Sequence, residues 1–376
     1  MDFAYSDEQA MLRDSVDRYG QDEWPAADRL KILAQGSDGA RRRWCAMAGL
    51  GWLMLPIAER DGGLGGGAVE VMAVMESFGR HLIAAPYVSS CVLVPALIGG
   101  DPAAADLLTA IGAGDALAAA ALIDADGGDD PSWVETRAER DGDGWRLTGL
   151  KPQVEDGADA DWFVVSARTA GAAGDPSGIG LFLLARDTPG LTVEGFRAID
   201  AHRHARLTLD AARAIAIGDP SDALPVIEAA IDRAICAYLA EATGSMEAAA
   251  AATLDYLRTR QQFGAPIGSF QVLQHRMVDM TIACEEARAM TYHATLSLGR
   301  DPDERRRAVS AGKVRVGQSG LYVGQQAVQL HGGVGFSDEL IVSHHLRRLM
   351  MLDLAHGAPD HHRARYAALS HHEETR

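Results

Sequence analysis

Arg258-Thr259-Arg260-Gln261-Gln262-Phe263-Gly264-Ala265-Pro266-Ile267-Gly268-Ser269-Phe270-Gln271 joins two long helix-patterned segments, and Gln329-Leu330-His331-Gly332-Gly333-Val334-Gly335-Phe336 closes a third about sixty residues later. Glycines permit positive φ and let backbone N–H groups approach an anion. A guanidinium such as that of Arg260 holds two phosphate oxygens in a planar fork. Brought together, the two segments can grip a pyrophosphate. Taken singly, Gly264 and Gly332-Gly333 read equally well as helix C-caps and Arg260 as a surface charge near a helix end. The flanking segments have helical periodicity over 225–258, 270–299 and 304–330, and Val314, Leu321 and Val328 recur every seven residues. That pattern predicts an antiparallel bundle.

Outward from the bundle the texture changes twice. Residues 116–220 carry short β-like runs, among them Trp145-Arg146-Leu147-Thr148, Trp162 to Ser166, Ile179 to Leu184 and Leu207-Thr208-Leu209, separated by turns such as Asp141-Gly142-Asp143-Gly144. They predict an antiparallel β domain. Residues 1–115 return to helical spacing, as in Val71, Val74, Met75 and Phe78. The expected fold is therefore α+β: a helical N-terminal domain (1–115), a middle β domain (116–220) and a C-terminal helical bundle (221–376).

Composition narrows the function. The chain has 376 residues, with 35 Lys+Arg against 52 Asp+Glu, a formal net charge of −17. That balance argues against nucleic acid and against a polybasic membrane contact. The one short basic run, Arg41 to Arg43, leads directly into Trp44 and reads as the solvated face of a helix. Four cysteines, at 45, 91, 236 and 284, are too widely spaced for a Cys-x-x-Cys metal or redox pair. Acids near the N-terminus, Asp2, Asp7 and Glu8, stand where a signal peptide needs basic residues, so a cytoplasmic location is expected. Leu82 to Gly100 is uncharged but interrupted by Pro86 and Pro95, and reads as a buried broken segment rather than a membrane span. Asp61-Gly62-Gly63-Leu64-Gly65-Gly66-Gly67-Ala68 contains G-x-G-x-x-A, yet no strand runs into it, so an interhelical loop is expected rather than a nicotinamide site. Eight of the thirteen histidines fall between 331 and 372, several as adjacent pairs. Neighbours on a helix diverge by about 100°, so these are read as surface or interface residues and no metal site is expected.

The pattern R-x-x-F-G-x-x-I-x-x-F-Q at Arg260 to Gln271, with Q-x-x-G-G-x-G-F-x-x-E from Gln329 to Glu339, resembles the acyl-CoA dehydrogenase family. The likeness extends to Phe3 to Arg18, the Gly62-Gly63-Leu64-Gly65 loop, Glu76 to Arg80 and Gly142 to Lys151, all in the family's order. It implies FAD held between subunits of a tetramer, with the two C-terminal motifs reaching the pyrophosphate and adenosine end of a neighbouring subunit's FAD. Arg260, Phe263, Gln271, Gln329, Gly332 and Gly333 occupy those positions.

The departures are equally specific. The family's T-E-P-x-A-G-S-D falls on Ile123 to Asp130, and its W-I-T-N on Gln153-Val154-Glu155-Asp156. Loss of the stacking aromatic and the hydroxyl, with carboxylates added beside an electron-accepting ring, predicts weak flavin binding by this chain's own middle domain. The family's base removes an acyl-CoA α-proton while a β-hydride leaves to the flavin, and that needs a carboxylate in a dry pocket. One family placement of this glutamate falls on His356, the other on Ala234. His356 can accept a proton but suits so weak an acid less well than a buried carboxylate.

Glu241 is the best remaining candidate base. It lies about 40° outside the stripe of Ile227, Ile231, Ile235, Tyr238, Leu239 and Met246, where it can border a cavity with a raised pKa or simply be solvated. Asp353 and Asp232 rank behind it. A site half kept and half lost resembles the small subunits of heteromeric members of the family. That likeness implies a second dehydrogenase subunit carrying the base, an acyl-CoA substrate and an electron-transfer flavoprotein as acceptor. A self-sufficient homomer using Glu241 and a purely structural subunit are the alternatives.

Overall fold

The computed structural model describes the backbone of residues 4–374 and the side chains of residues 4–370. Phe3 and the side chains of His371 and His372 lie outside the described residues. The chain divides into two compact units that interleave in sequence, one of residues 1–34, 68–84 and 235–376, the other of 35–67 and 85–234.

The first unit is helical. It contains α1 (Asp7–Glu23), α2 (Arg29–Ala34), α4 (Ala68–His81), α8 (Gln271–Leu296), α9 (Pro302–His331), α10 (Ile341–Leu354), α11 (Pro359–Glu374) and most of α7 (Leu224–Thr259). The three long periodic runs are α7, α8 and α9. Local chemistry fixes their ends. Asp301 caps α9 by accepting from the backbone N–H groups of Asp303 and Glu304, and Pro302 sits at the first helical position, where its missing N–H costs nothing. Two glycines set the approach of α4 to α7. A Cβ on Gly79 would lie 1.8 Å from the Glu241 carbonyl oxygen, and one on Gly244 would lie 1.9 Å from that of Glu76. No side chain fits either place, so the backbones themselves touch.

The second unit contains the helices α3 (Gly36–Gly49), α5 (Val94–Ile98) and α6 (Ala105–Ala113) and holds the sheet: β1 (Ala118–Ala121), β2 (Arg137–Asp141), β3 (Gly144–Val154), β4 (Trp162–Arg168), β5 (Ile179–Ala185), β6 (Leu191–Arg197) and β7 (Arg203–Ile217). The order is β1-β4-β2-β3-β7-β5, with β6 on β7, and β5 also pairs with β4, so the sheet returns on itself. Ala121, Leu147, Phe163, Val165, Phe182, Leu184, Leu207 and Leu209 fill its core. The expectation of an antiparallel domain needs one correction. β1 runs parallel to β4 and β2 meets β4 in a parallel bridge, because both reach β4 through connections long enough to reverse direction.

The uncharged 82–100 segment is a buried π-helical turn over Val88–Leu93 running into α5. Among the described residues no helix is long and apolar enough to cross a membrane. The glycine-rich stretch after Asp61 is a loop, with Gly62 in the left-handed region at φ 84°. The cysteines form no disulfide.

Candidate functional site

The quoted segments fold into two exposed turns at one end of the bundle. Gln261–Gln262 and Ala265–Pro266 form a minimal hairpin, here β8 and β9. Its two loop residues, Phe263 and Gly264, both have positive φ, 54° and 80°, as a tight hairpin turn demands. Glycine accepts that conformation and a bulky aromatic residue does not. Phe263 nevertheless sits there 91 % exposed, with only an edge contact to Phe270 at 6.1 Å between ring centroids.

The second turn follows α9. Gly332 adopts φ 68° and ψ −151°, a combination open to glycine alone. A Cβ added to Gly264, Gly332 or Gly333 would meet nothing within 4 Å, so the backbone of both turns faces open space. Arg260, Gln271, Gln329, Gly332 and Gly333 are all exposed.

The structure brings these turns together. Tyr256, four residues before Arg260, stacks on His331, the residue before Gly332, at 4.3 Å and 25°. His331 is fixed from behind by a hydrogen bond between Nδ1 and the Ala327 carbonyl, 2.8 Å. The ends of α7 and α9 therefore run out side by side, with the exposed Arg260 on one and a bare glycine turn on the other. That arrangement fits a diphosphate.

The positions considered for the base are occupied differently. Glu241 is 2 % exposed and therefore not solvated. Its two oxygens accept from Nε and Nη2 of Arg348 at 2.6 and 2.7 Å, a bidentate fork between two buried side chains. The helix-face reading missed this because the partner lies 107 residues away on α10. The Arg348 guanidinium also lies 5.6 Å from the Tyr238 ring, and Tyr238 stacks on His356 at 5.8 Å. Arg348, Tyr238 and His356 thus occupy the neighbourhood of the usual base with packed side chains. Ala234 is fully buried and Asp232 likewise. Asp353 is buried beside Lys313, and burial raises its carboxyl above the ordinary range.

The histidines require correction too. His331, His344, His345 and His362 are buried rather than superficial. Each finds a partner: His345 shares a 2.8 Å hydrogen bond with Ser245 across to α7, and His362 donates from Nε2 to the His356 carbonyl at 3.0 Å. Burial pushes His345 and His362 down to about 3, so both are neutral bundle residues. Composition could not show this, because imidazole packs as readily as it solvates.

In the middle domain, Asp124 and Lys151 form a fully buried ion pair, with Asp124 also accepting from Thr136 and Lys151 donating to Ser166. Glu155 and Asp156 meet His202 nearby, with the ligand atoms of all three within 4.8 Å of one another. His202 Nδ1 donates to Asp156 Oδ1 at 3.1 Å. Glu155 and Asp156 fill two of the positions that the resemblance gives to the ring side, and Gln153 a third, so neither an aromatic face nor a hydroxyl donor is present at them. The chemistry of those side chains does not match the ring-side positions expected from the resemblance, whereas the open glycine backbone and the exposed Arg260 match those expected at a pyrophosphate.

A helical N-terminal region, a β middle region and a C-terminal bundle ending in these turns define the dehydrogenases of acyl-CoA thioesters. The chain matches the acyl-CoA dehydrogenase N-terminal domain over residues 6–109, the middle domain over 119–212 and the C-terminal domain over 224–369, and it belongs to that family of FAD-dependent oxidoreductases. It is 26 % identical over 371 residues to the probable acyl-CoA dehydrogenase YngJ of Bacillus subtilis, covering 96 % of this chain and 97 % of the relative. Among solved structures it is similar to a variant of the Tcur3481-Tcur3483 steroid ACAD, with a TM-score of 0.88, 28 % identity, and 98 % and 99 % of the two chains covered. The ChsE4-ChsE5 complex from Mycobacterium tuberculosis gives a TM-score of 0.85 at 26 % identity, with 98 % of each chain covered.

Proposed function

We infer that this chain is one subunit of a heteromeric acyl-CoA dehydrogenase. It lends Arg260, Phe263, Gln271, Gln329 and the Gly332-Gly333 turn to the FAD of a second dehydrogenase subunit, and that partner supplies the base and the ring contacts. The assembly oxidises a bulky or carboxylated acyl-CoA to the 2,3-enoyl thioester and passes the electrons to an electron-transfer flavoprotein. The bound flavin supplies the hydride acceptor. This chain's own residues bind and orient the diphosphate.

One observation carries the reading. The turns at Arg260–Gly264 and Gly332-Gly333 are exposed, while Glu241, the best carboxylate for the chemistry, is locked to Arg348. The similarity to the ChsE4-ChsE5 complex supports a two-chain assembly, and the likeness to a steroid ACAD supports a bulky acyl group.

Flavin absorbance tests it. The chain purified alone is expected to be colourless, and co-expression with its partner subunit to give a yellow complex. Arg260→Ala in that complex should lower flavin occupancy several-fold by removing a charge-assisted phosphate contact. A yellow protein obtained from this chain alone and bleached by an acyl-CoA would instead establish the homomer.

A further inference from the structure

Among the described residues one group of three ligand-type side chains converges closely enough to share a cation: Glu155, Asp156 and His202. Aspartate and histidine lie 46 residues apart in the chain, so no short motif announces the site. Backbone pairing builds it. β3 runs out beside β7, with Val154 opposite Ala205. The chain then turns, with the Gly157 N–H donating to the Val154 carbonyl at 3.2 Å and the Ala158 N–H to the Arg203 carbonyl at 3.3 Å. That turn lays the Glu155-Asp156 pair against the residue before Arg203. His202 is fixed in its place from both ends of its own peptide: its N–H donates to Asp200 Oδ1 at 3.1 Å, and its carbonyl accepts from the Ala198 N–H at 2.9 Å.

The chemistry of the set is that of a metal ligand sphere. The side chains of His202 and Asp156 are only 6 % and 10 % exposed, and Glu155 is half-buried. Two carboxylates side by side repel, and withdrawal from water makes their charges costlier. A divalent cation answers both effects, since two carboxylates and a neutral imidazole carry two negative charges against its two positive ones. The ligand types also select the ion. Oxygen alone suits magnesium and calcium, whereas an imidazole beside carboxylates suits zinc and its neighbours in the first transition row. Ligand atoms about 2.1 Å from one such ion stand about 3.4 Å apart in a tetrahedron. His202 Nδ1 and Asp156 Oδ1, at 3.1 Å, already have that spacing, and all three ligand atoms lie within 4.8 Å of one another.

We propose that Glu155, Asp156 and His202 bind a divalent transition-metal ion of the zinc class. His202 ligates through Nδ1 in the tautomer that carries its proton on Nε2, and water completes the coordination, as in zinc sites with three protein ligands. The site uses none of the residues assigned to the flavin diphosphate and none of the C-terminal histidines, and it stands whether or not the chain works as a heteromer subunit.

Cobalt(II), whose visible ligand-field absorption reports its coordination, tests the site. Titrating the full-length chain with Co²⁺ is expected to give a saturable absorption that Zn²⁺ abolishes and a large excess of Mg²⁺ leaves in place. Glu155→Gln and His202→Gln should each weaken Co²⁺ binding about tenfold or more. Glu155 is half-buried and glutamine keeps its shape, so that variant should unfold near the wild-type midpoint in the absence of metal, and it decides the matter even where His202→Gln fails to fold. Absence of saturable absorption at millimolar Co²⁺, unchanged affinity in Glu155→Gln, or displacement of Co²⁺ by Mg²⁺ as readily as by Zn²⁺ would overturn the proposal.

Discussion

Glu241 and Arg348 hold each other in a dry bidentate fork, and the physics of such pairs is asymmetric. Removing one partner leaves an uncompensated charge in the interior, at a cost of about 3–5 kcal/mol, whereas replacing both with apolar groups of similar volume is often neutral or stabilising. Glu241→Gln is therefore expected to lower stability by roughly that amount, and Glu241→Leu with Arg348→Met to recover most of it, as read from denaturant midpoints. A catalytic Glu241 would give the reverse pattern, with turnover lost and stability preserved or raised in the Gln variant. The sequence put Glu241 just outside an apolar stripe, whereas residues 234–246 are buried on every side of the helix and no margin exists there. It could not reveal the partner, because helical periodicity reports which face a residue is on and not what another helix brings to that face. His345 was illegible for the same reason, its partner Ser245 lying 100 residues away.

At the level of elements, the α4–α7 crossing depends on two missing side chains. Gly244→Ala puts a methyl group 1.9 Å from the Glu76 carbonyl oxygen, a contact that only backbone movement can relieve. Overpacking of this kind costs about 1–3 kcal/mol, so the variant should unfold at a measurably lower temperature than Ala251→Ser, a change at an exposed position of the same helix. The β8–β9 hairpin carries the opposite liability. Phe263 pays for its positive φ with strain, and Asn tolerates that region far better. Phe263→Asn is expected to stabilise the isolated chain by about 1 kcal/mol while lowering flavin retention in the co-expressed complex. Equal retention in that variant would remove Phe263 from the cofactor site. The long helices and the apolar strands were readable because their periodicity runs for many residues. Arg137–Asp141 was not, since four of its five residues are charged and its pairing with β3 comes from the short turn at Gly142 rather than from any alternation.

Across the helical unit, buried ionisable groups make stability depend on pH in two opposing directions. Glu76, at the α4–α7 crossing, is raised to about 7 by burial, with Glu247 adding to the shift and Tyr5 and the neighbouring arginines opposing it. Its Oε2 accepts from Tyr5 at 3.0 Å, and its Oε1 is buried with no hydrogen-bond partner among the described residues. An acid raised in the fold binds its proton there more tightly than in the unfolded chain, so stability falls as pH rises from about 4.5 to about 7 and then levels off, a loss of about 3 kcal/mol. His345 and His362 act in the other direction: neutral in the fold, they gain a proton on unfolding below about 6.5, so stability falls as pH drops toward about 3. These windows overlap, and wild-type stability alone cannot separate them. Glu76→Gln does separate them, because the amide imitates the protonated acid at every pH while both histidines are untouched. The variant should match wild type near pH 4.5 and exceed it at pH 8, with the gap opening between those values in denaturant titrations. A gap that is constant with pH would mean that the Glu76 carboxyl is already ionised in the fold, its charge held by the Tyr5 hydroxyl and the neighbouring arginines against the cost of burial.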